Sequence, residues 1–423
     1  MKIIISNAYC YLNKGDAGII RAMVQEFKKQ YPESTIKVIS LYSELDQGKY
    51  GDCEVIGSII KPYKGKNRYL KIIRNILYFM VISLLNLFHI SFNQTIKEIK
   101  KADIVVSCGG GYFKARSIGQ FLGDFMYHLI QFTTCIQLKK KYVIYAQTIG
   151  EFGNKLIIYF ATQILKRAQL VLPRESISYN YTKKLLKNHK NYYQTSDIAF
   201  LLEPKHVKLI NVTDKKLKIG LTMRSWHFPG NSNREELLEG YKNAVIDSIK
   251  YIQNNYDANI YLMPQVIGPH EDNDLIITKE VYAEITNKDN LFVIDNDLTP
   301  EELKYVYSQM DLFIGTRMHS NIFSLSEYVP CVAISYDLKT DGIMKDVGLQ
   351  DYVLNIKNID SLDLISKINN AIQSLSTMKE ILALSIPEIS KKSAENNILL
   401  FDLINTINLT KEQSQHKQVS IES

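Results

Sequence analysis

Cysteine is scarce and scattered in this chain of 423 residues. The five thiols, Cys10, Cys53, Cys108, Cys135 and Cys331, are odd in number, far apart and never spaced as Cys-x-x-Cys. They do not read as a disulfide framework or a zinc site. Reduced thiols in a cytoplasmic protein are the expectation. No helix-turn-helix, zinc-finger or RNA-binding signature occurs, and a net charge of +7 is weak evidence for nucleic acid. Mild basicity instead suits anionic small molecules or an anionic membrane surface. The start, Met1 to Asn7, turns polar too soon to read as a signal peptide and reads as a first buried strand. No internal repeat stands out. Glycine-rich nucleotide signatures are also missing. The Gly109-Gly110-Gly111 run has Lys114 where a Rossmann fingerprint needs its third glycine, and no Gly-Lys-Ser/Thr follows.

What is present is ample material for two or three ordinary domains: 46% hydrophobic and 22% charged residues. Strand-like runs alternate with helical ones: strands over Lys2–Ser6, Thr35–Leu41, Ile104–Ser107, Tyr142–Gln147 and Leu170–Pro173, with helices over Asp16–Gln30 and Lys155–Arg167. The texture changes around residues 198–218, which read as a link. A second series follows: strands over Lys218–Met223, Asn259–Met263, Leu291–Ile294, Leu312–Ile314 and Cys331–Ser335. Its helices cover Leu237–Asn254, Asp274–Thr286, Pro300–Gln309 (Thr299 as N-cap) and about Ser320–Tyr328. This alternation predicts an α/β fold of two Rossmann-like, doubly wound domains facing a cleft. The expected division is 1–210 for the N-terminal domain and 211–408 for the C-terminal domain with its closing helices. Residues 409–423 are expected to be a disordered tail.

Chemistry-bearing residues gather at predicted strand ends, where open α/β sheets bind ligands. Asn13-Lys14-Gly15-Asp16 follows the first strand, with Asp16 as the expected N-cap. Gly109, Gly110 and Gly111 are expected to form a turn whose backbone N–H groups converge on an anion. Gln147 and Arg174 end two further strands. In the second half Arg224, Gln265, and the pair Arg317 and His319 do the same. A guanidinium forks onto carboxylate or phosphate, and an imidazole carries a proton near neutral pH. His270, Asp272 and Asp274 could suggest a metal, but acids before a helix are commonly caps, so no metal site is expected.

Taken in order, Asn13 to Asp16, Asp103 to Phe113, Gln147 to Gly150, Arg174 to Ser176, Asp197 to Phe200, Gly315 to His319 and Val329 to Lys339 resemble the polysaccharide pyruvyl transferase family over roughly residues 1–350. The resemblance implies a GT-B-like fold and transfer of a pyruvyl group from phosphoenolpyruvate to a sugar of a cell-surface polysaccharide precursor, forming a pyruvate ketal. It implies no cofactor beyond that donor. Arg317 and His319 carry over onto the family's Arg-x-His donor motif. Arg224 and Arg317 then supply two forks for a carboxylate and a phosphate, with His319 for proton transfer or for the leaving phosphate. The acceptor, a glycan or lipid-linked oligosaccharide, is expected against the N-terminal domain near Asp16 and Gly109–Gly111.

Two alternatives stay open: a nucleotide-sugar glycosyltransferase on the same architecture, although no Glu-x7-Glu donor motif is evident, and a non-catalytic glycan- or lipid-binding assembly protein. One segment bears on location. Ile76 to Phe92 is nearly all apolar and follows Lys61, Lys64, Lys66, Arg68, Lys71 and Arg74. It reads first as a buried or partner-facing helix, then as a membrane-surface helix, and least as a span. The implied location is cytoplasmic, with peripheral contact at the inner membrane face if the acceptor is lipid-linked.

Overall fold

The structure is a computed structural model. It describes residues 1–88, 90–91, 93–208, 217–269 and 273–422, with the side chains of residues 338 and 410–422 outside the description. The chain forms two compact units. Unit 1 comprises Met1–Cys10, Ile19–Ile198 and Lys392–Ser423; unit 2 comprises Tyr11–Gly18 and Ala199–Lys391.

Unit 1 is built on a seven-stranded sheet. Its strands are β1 (Lys2–Ala8), β2 (Thr35–Ser40), β3 (Glu54–Gly57), β4 (Ile104–Ser107), β5 (Gly110–Ala115), β6 (Tyr142–Phe152) and β7 (Leu170–Pro173). They run in the order β3-β2-β1-β4-β6-β5, with β7 also on β6, and every pairing is parallel. A parallel sheet is covered by helices on both faces, so its strands are continuous apolar runs. Ile3-Ile4-Ile5 of β1 shows this: all three side chains are buried.

Unit 2 carries β8 (Leu217–Thr222), β9 (Ala258–Leu262), β10 (Leu291–Val293), β11 (Leu312–Gly315), β12 (Cys331–Ser335) and β13 (Val353–Asn355). Their order is β10-β9-β8-β11-β12-β13, again all parallel. This is the doubly wound order in which the first and fourth strands lie side by side, and the crevice beyond their carboxyl ends is the usual ligand position. In unit 2 those strands are β8 and β11; in unit 1 they are β1 and β4.

Several expectations are corrected. The 210/211 boundary lies outside the described residues. Ala199–Lys208 already groups with unit 2, where buried Lys304 Nζ donates to Leu202 O at 2.6 Å. Closing residues from Lys392 onward belong to unit 1 instead of the C-terminal domain. Tyr145 OH donates to Asn397 Oδ1 at 2.5 Å, and Phe401 packs edge-on against Phe27. The last helix is Leu375–Glu422. Thr299 does cap its helix, in a reciprocal capping box with Glu302 and Pro300 at the first position.

Of the expected glycine turn, Gly110 and Gly111 are strand and Gly109 lies between β4 and β5, while Gln147, expected to end its strand, lies inside β6. Gly110 and Gly111 open β5, and Gly110 registers with Gln147 inside β6. Glycine is needed there all the same. Gly110 has φ +147°, and a Cβ on Gly109 would lie 2.8 Å from Ala146 O.

Of the readings of Ile76–Phe92 the helix is real, but it is not a buried one: its apolar side faces outward. Helix Arg68–Leu87 buries Asn75, Ile82 and Asn86. Asn75 Nδ2 donates to Gly123 O at 2.8 Å, and Asn86 Nδ2 to Gln137 Oε1 at 3.0 Å. Its exposed residues include Tyr69, Leu70, Ile73, Leu77, Tyr78, Met80, Val81, Leu84 and Leu87.

Candidate functional site

The unit 2 site starts from the strand pair at the centre of its sheet. Thr222 of β8 registers with Gly315 of β11. Two residues past each stands an arginine, Arg224 and Arg317. The backbone around Thr316 is held tightly. Thr316 N donates to Thr222 O at 3.3 Å, its hydroxyl meets Tyr241 OH at 2.8 Å, and Thr222 Oγ1 meets Ser320 Oγ at 2.9 Å. Burial pushes the Tyr241 phenol up to about 12, despite its bond to Thr316. A Cβ on Gly315 would fall 1.8 Å from Asn321 Oδ1, so only glycine lets helix Met318–Ser326 start this close to β11.

Arg317 is the N-cap residue of that helix and is buried. Its Nη2 donates to Asp274 Oδ1 at 2.6 Å, and its Nε lies 3.1 Å from both carboxylate oxygens. Asp274, itself fully buried, also accepts from the backbone N–H of Val266 at 2.9 Å and of Gln265 at 3.3 Å. Two of the three guanidinium nitrogens of Arg317, Nε and Nη2, are thus engaged by a carboxylate of the protein. One buried ion pair therefore ties the start of helix Met318–Ser326 to the loop after β9.

That loop holds the segment Tyr11–Gly18, which groups with unit 2 although its neighbours in sequence on both sides group with unit 1. Asn13 forms an antiparallel bridge with Val266, Lys14 N donates to Gln265 O at 3.2 Å, and Ile267 N donates to Leu12 O at 3.0 Å. Lys14 is buried, with Nζ 2.7 Å from Asp297 Oδ1. The expected N-cap is shifted as well. Asn13 Oδ1 accepts from Asp16 N at 3.3 Å, while Asp16 Oδ2 accepts from Asn13 Nδ2 at 2.8 Å. Asn13 caps, and Asp16 answers it from the first turn.

Gly15 then meets His319. A Cβ at position 15 would sit 2.5 Å from His319 Nδ1, 2.6 Å from its Cβ and 2.7 Å from its Cγ. The imidazole lies directly on the glycine backbone, half-buried in the first turn of its helix. Asn13, Gly15, Gln265, Arg317 and His319 thus form one connected assembly. Asp274 is the member that sequence reasoning placed only as a cap or metal candidate. Its other two candidates, His270 and Asp272, lie outside the described residues. Among the described residues no group of three or more His, Cys, Asp or Glu is placed to hold a metal ion.

Arg224 is reached differently. Its guanidinium carbon lies 4.6 Å from the Trp226 ring centre and 4.5 Å from that of Tyr336, and the two rings are 4.6 Å apart. Two aromatic faces and a cation make a half-buried patch at the end of β8. Trp226 Nε1 and Gln265 Nε2 are buried and make no hydrogen bond among the described residues.

The remaining candidates, Gly109, Gly110, Gly111, Gln147 and Arg174, lie in unit 1. Arg174 is buried in an internal network. Its Nη1 donates to Asp197 Oδ2 at 2.5 Å and its Nε to Thr148 Oγ1 at 3.0 Å. This joins β6, β7 and the turn at Ile198. Gln147 is fully buried, and its Oε1 makes no hydrogen bond among the described residues.

Sequence reasoning missed a polar cluster at the ends of β1 and β4. Asn7 is buried in left-handed backbone, φ +65°, where Asn is among the few side chains tolerated. Its N–H donates to Gln131 Oε1 at 3.1 Å, and its Oδ1 lies 3.2 Å from His128 Nδ1. The His128 ring stacks on Tyr112 at 4.2 Å. Burial holds His128 neutral, pulling its pKa from 6.5 to about 4. The one signal available was the polar pair Ser6-Asn7 ending an apolar run.

Comparison with known proteins follows the same lines. A family model described as polysaccharide pyruvyl transferase matches residues 13–337. The amylovoran biosynthesis protein AmsJ of Erwinia amylovora is 21% identical, over 92% of this chain and 96% of its own length. Among solved structures, UDP-GlcNAc 2-epimerase of Neisseria meningitidis bound to UDP-GlcNAc has TM-score 0.59 at 10% identity, covering 95% of this chain and all of that one. Anabaena Alr3699/HepE in complex with UDP-glucose has TM-score 0.54 at 11% identity, covering 98% and 100%. At such identities the likeness carries the fold alone: two Rossmann-like domains of the GT-B-like kind.

Proposed function

The chain belongs to the polysaccharide pyruvyl transferase family, and from that premise we propose that unit 2 binds phosphoenolpyruvate and delivers its pyruvyl group, as a ketal, to a sugar of an exopolysaccharide precursor. The observation that carries the reading is the placement of Arg224 and His319 past the carboxyl ends of the adjacent strands β8 and β11. A cation between two aromatic faces suits a small dianionic donor. The half-exposed imidazole is our candidate for proton transfer. The AmsJ relative, named for amylovoran biosynthesis, supports the polymer context.

In the proposed reaction a proton goes to the terminal methylene carbon of the donor, making a methyl group. An acceptor hydroxyl oxygen bonds to C2, and its proton restores the acid. A second hydroxyl then bonds to C2, the C2–O bond to phosphate breaks, and hydrogen phosphate leaves with the second proton. His319 serves the first transfer. Arg224 faces the charge that develops on the leaving phosphate. Arg317 acts as a positioning residue, since its guanidinium is on Asp274.

The single tryptophan makes a clean test. Phosphoenolpyruvate should quench Trp226 fluorescence saturably, and Arg224→Ala should remove the response. A response to uridine diphosphate with none to phosphoenolpyruvate would refute the donor and favour the nucleotide-sugar alternative.

A further inference from the structure

We infer that helix Arg68–Leu87 is a docking face for an anionic lipid surface, lying in the membrane plane with its apolar side in the lipid. Among the described residues it is the one helix long and apolar enough, by length and composition, to cross a membrane, yet only 17% of its most apolar window is buried.

Its underside explains why it does not span. Asn75 and Asn86 are buried and bonded to Gly123 O and Gln137 Oε1, and Gln137 Nε2 donates back to Ser83 O at 3.2 Å. Lys71 Nζ pairs with Asp124 at 2.5 Å. A helix fixed by its polar stripe against the protein leaves its apolar stripe outward by construction.

That outward stripe is broad. At 3.6 residues per turn, residues 69, 70, 73, 77, 78, 80, 81, 84, 87 and 88 spread over roughly half the helix circumference; each is more than half exposed. A seam for one partner helix is narrower than this. Aromatic Tyr69, Tyr78 and Phe88, with polar tips on two, suit a lipid–water boundary.

Charge selects the occupant. From Val55 to Lys97 there is no aspartate or glutamate, while Lys61, Lys64, Lys66, Arg68, Lys71, Arg74 and Lys97 all lie in that stretch. Among the described residues the acids that pair with it from elsewhere are Glu44, on Lys61, and Asp124, on Lys71. Lys64, Lys66 and Arg68 are exposed beside the first turn. A second copy of this face would bring cations against cations, whereas an anionic bilayer complements them and takes the apolar side chains at once. The inference does not depend on which donor unit 2 binds.

The test is co-sedimentation of the full chain with phosphatidylcholine vesicles with and without phosphatidylglycerol. Binding should need phosphatidylglycerol, weaken with salt, and fall more than about tenfold in Leu77→Gln/Leu84→Gln and in Lys64→Glu/Lys66→Glu. All four side chains are exposed, so circular dichroism and melting should not change. Unchanged sedimentation of both variants would overturn the inference. So would a wild-type dimer that Leu77→Gln/Leu84→Gln dissolves, or retention on vesicles through an alkaline carbonate wash, which marks a span.

Discussion

Replacing Gly15 by alanine tests the site most sharply. Gly15 is in helical backbone, so alanine meets no conformational penalty and should gain about 1 kcal/mol of helix propensity. The cost is steric. The new Cβ falls 2.5–2.7 Å from three atoms of His319, where ordinary contact begins at 3.4 Å. The imidazole must retreat by about 1 Å, and turning the ring does not help, because His319 Cβ is one of the three. Nor can its helix slide easily, since Arg317 is locked to Asp274 and Ser320 Oγ meets Thr222 Oγ1 of β8 at 2.9 Å. Overpacking of this kind costs about 1–3 kcal/mol, so the net change in stability should be within about 2 kcal/mol. A displacement of about 1 Å at a reacting group costs on the order of 10²-fold in rate. The assay is phosphate release from phosphoenolpyruvate with an acceptor glycan, beside a thermal melt. Gly240→Ala is the control: Gly240 lies inside helix Arg234–Asn255 with open space around its would-be Cβ, and should gain about 1 kcal/mol with turnover unchanged. If Gly15→Ala keeps wild-type turnover, the placement of His319 on that glycine has no part in the chemistry.

Asp274→Asn should destabilise by about 3–5 kcal/mol, because it leaves the buried Arg317 charge uncompensated. Urea unfolding of the single and double variants would show it, and near-additive effects of Asp274→Asn and Arg317→Met would refute the coupling. His128 predicts an acid weakness. Its folded pKa, about 4, lies below its ordinary 6.5, so the unfolded chain binds the extra proton. Stability is full above about pH 6.5 and falls by about 3 kcal/mol on the way to pH 4. His128→Gln should flatten that part of the stability–pH curve, and a curve of unchanged slope would sink the assignment.

Much of the fold could be read from the chain because parallel strands buried on both faces must be apolar throughout. Ile3-Ile4-Ile5 and Leu312-Phe313-Ile314 declare themselves for that reason, as does the capping box at Thr299, whose partners are three residues apart. The candidate residues Arg224, Arg317 and His319 were visible too, since a strand followed at once by a cation or imidazole marks a carboxyl edge. Two readings there were limited by locality. The glycines at 109–111 looked like a turn because backbone freedom reads the same in a turn and in an irregular strand. The Ile76–Phe92 stretch left a buried, a partner-facing and a membrane-surface helix all open, because hydrophobicity says that a face seeks burial without saying what covers it.

Sequence alone thus determined most of the strands and helices, though not β3, β5 or β13, and which polar groups end up on the sheet edges, since both follow from short-range periodicity. Tertiary structure decided what those groups touch. Asp274 meets Arg317 across 43 residues of chain, Gly15 meets His319 across 304, and Asn75 turns helix Arg68–Leu87 inside out by bonding to Gly123. Each is a long-range contact chosen by packing and by the need to satisfy buried polar groups, and no local pattern encodes its partner.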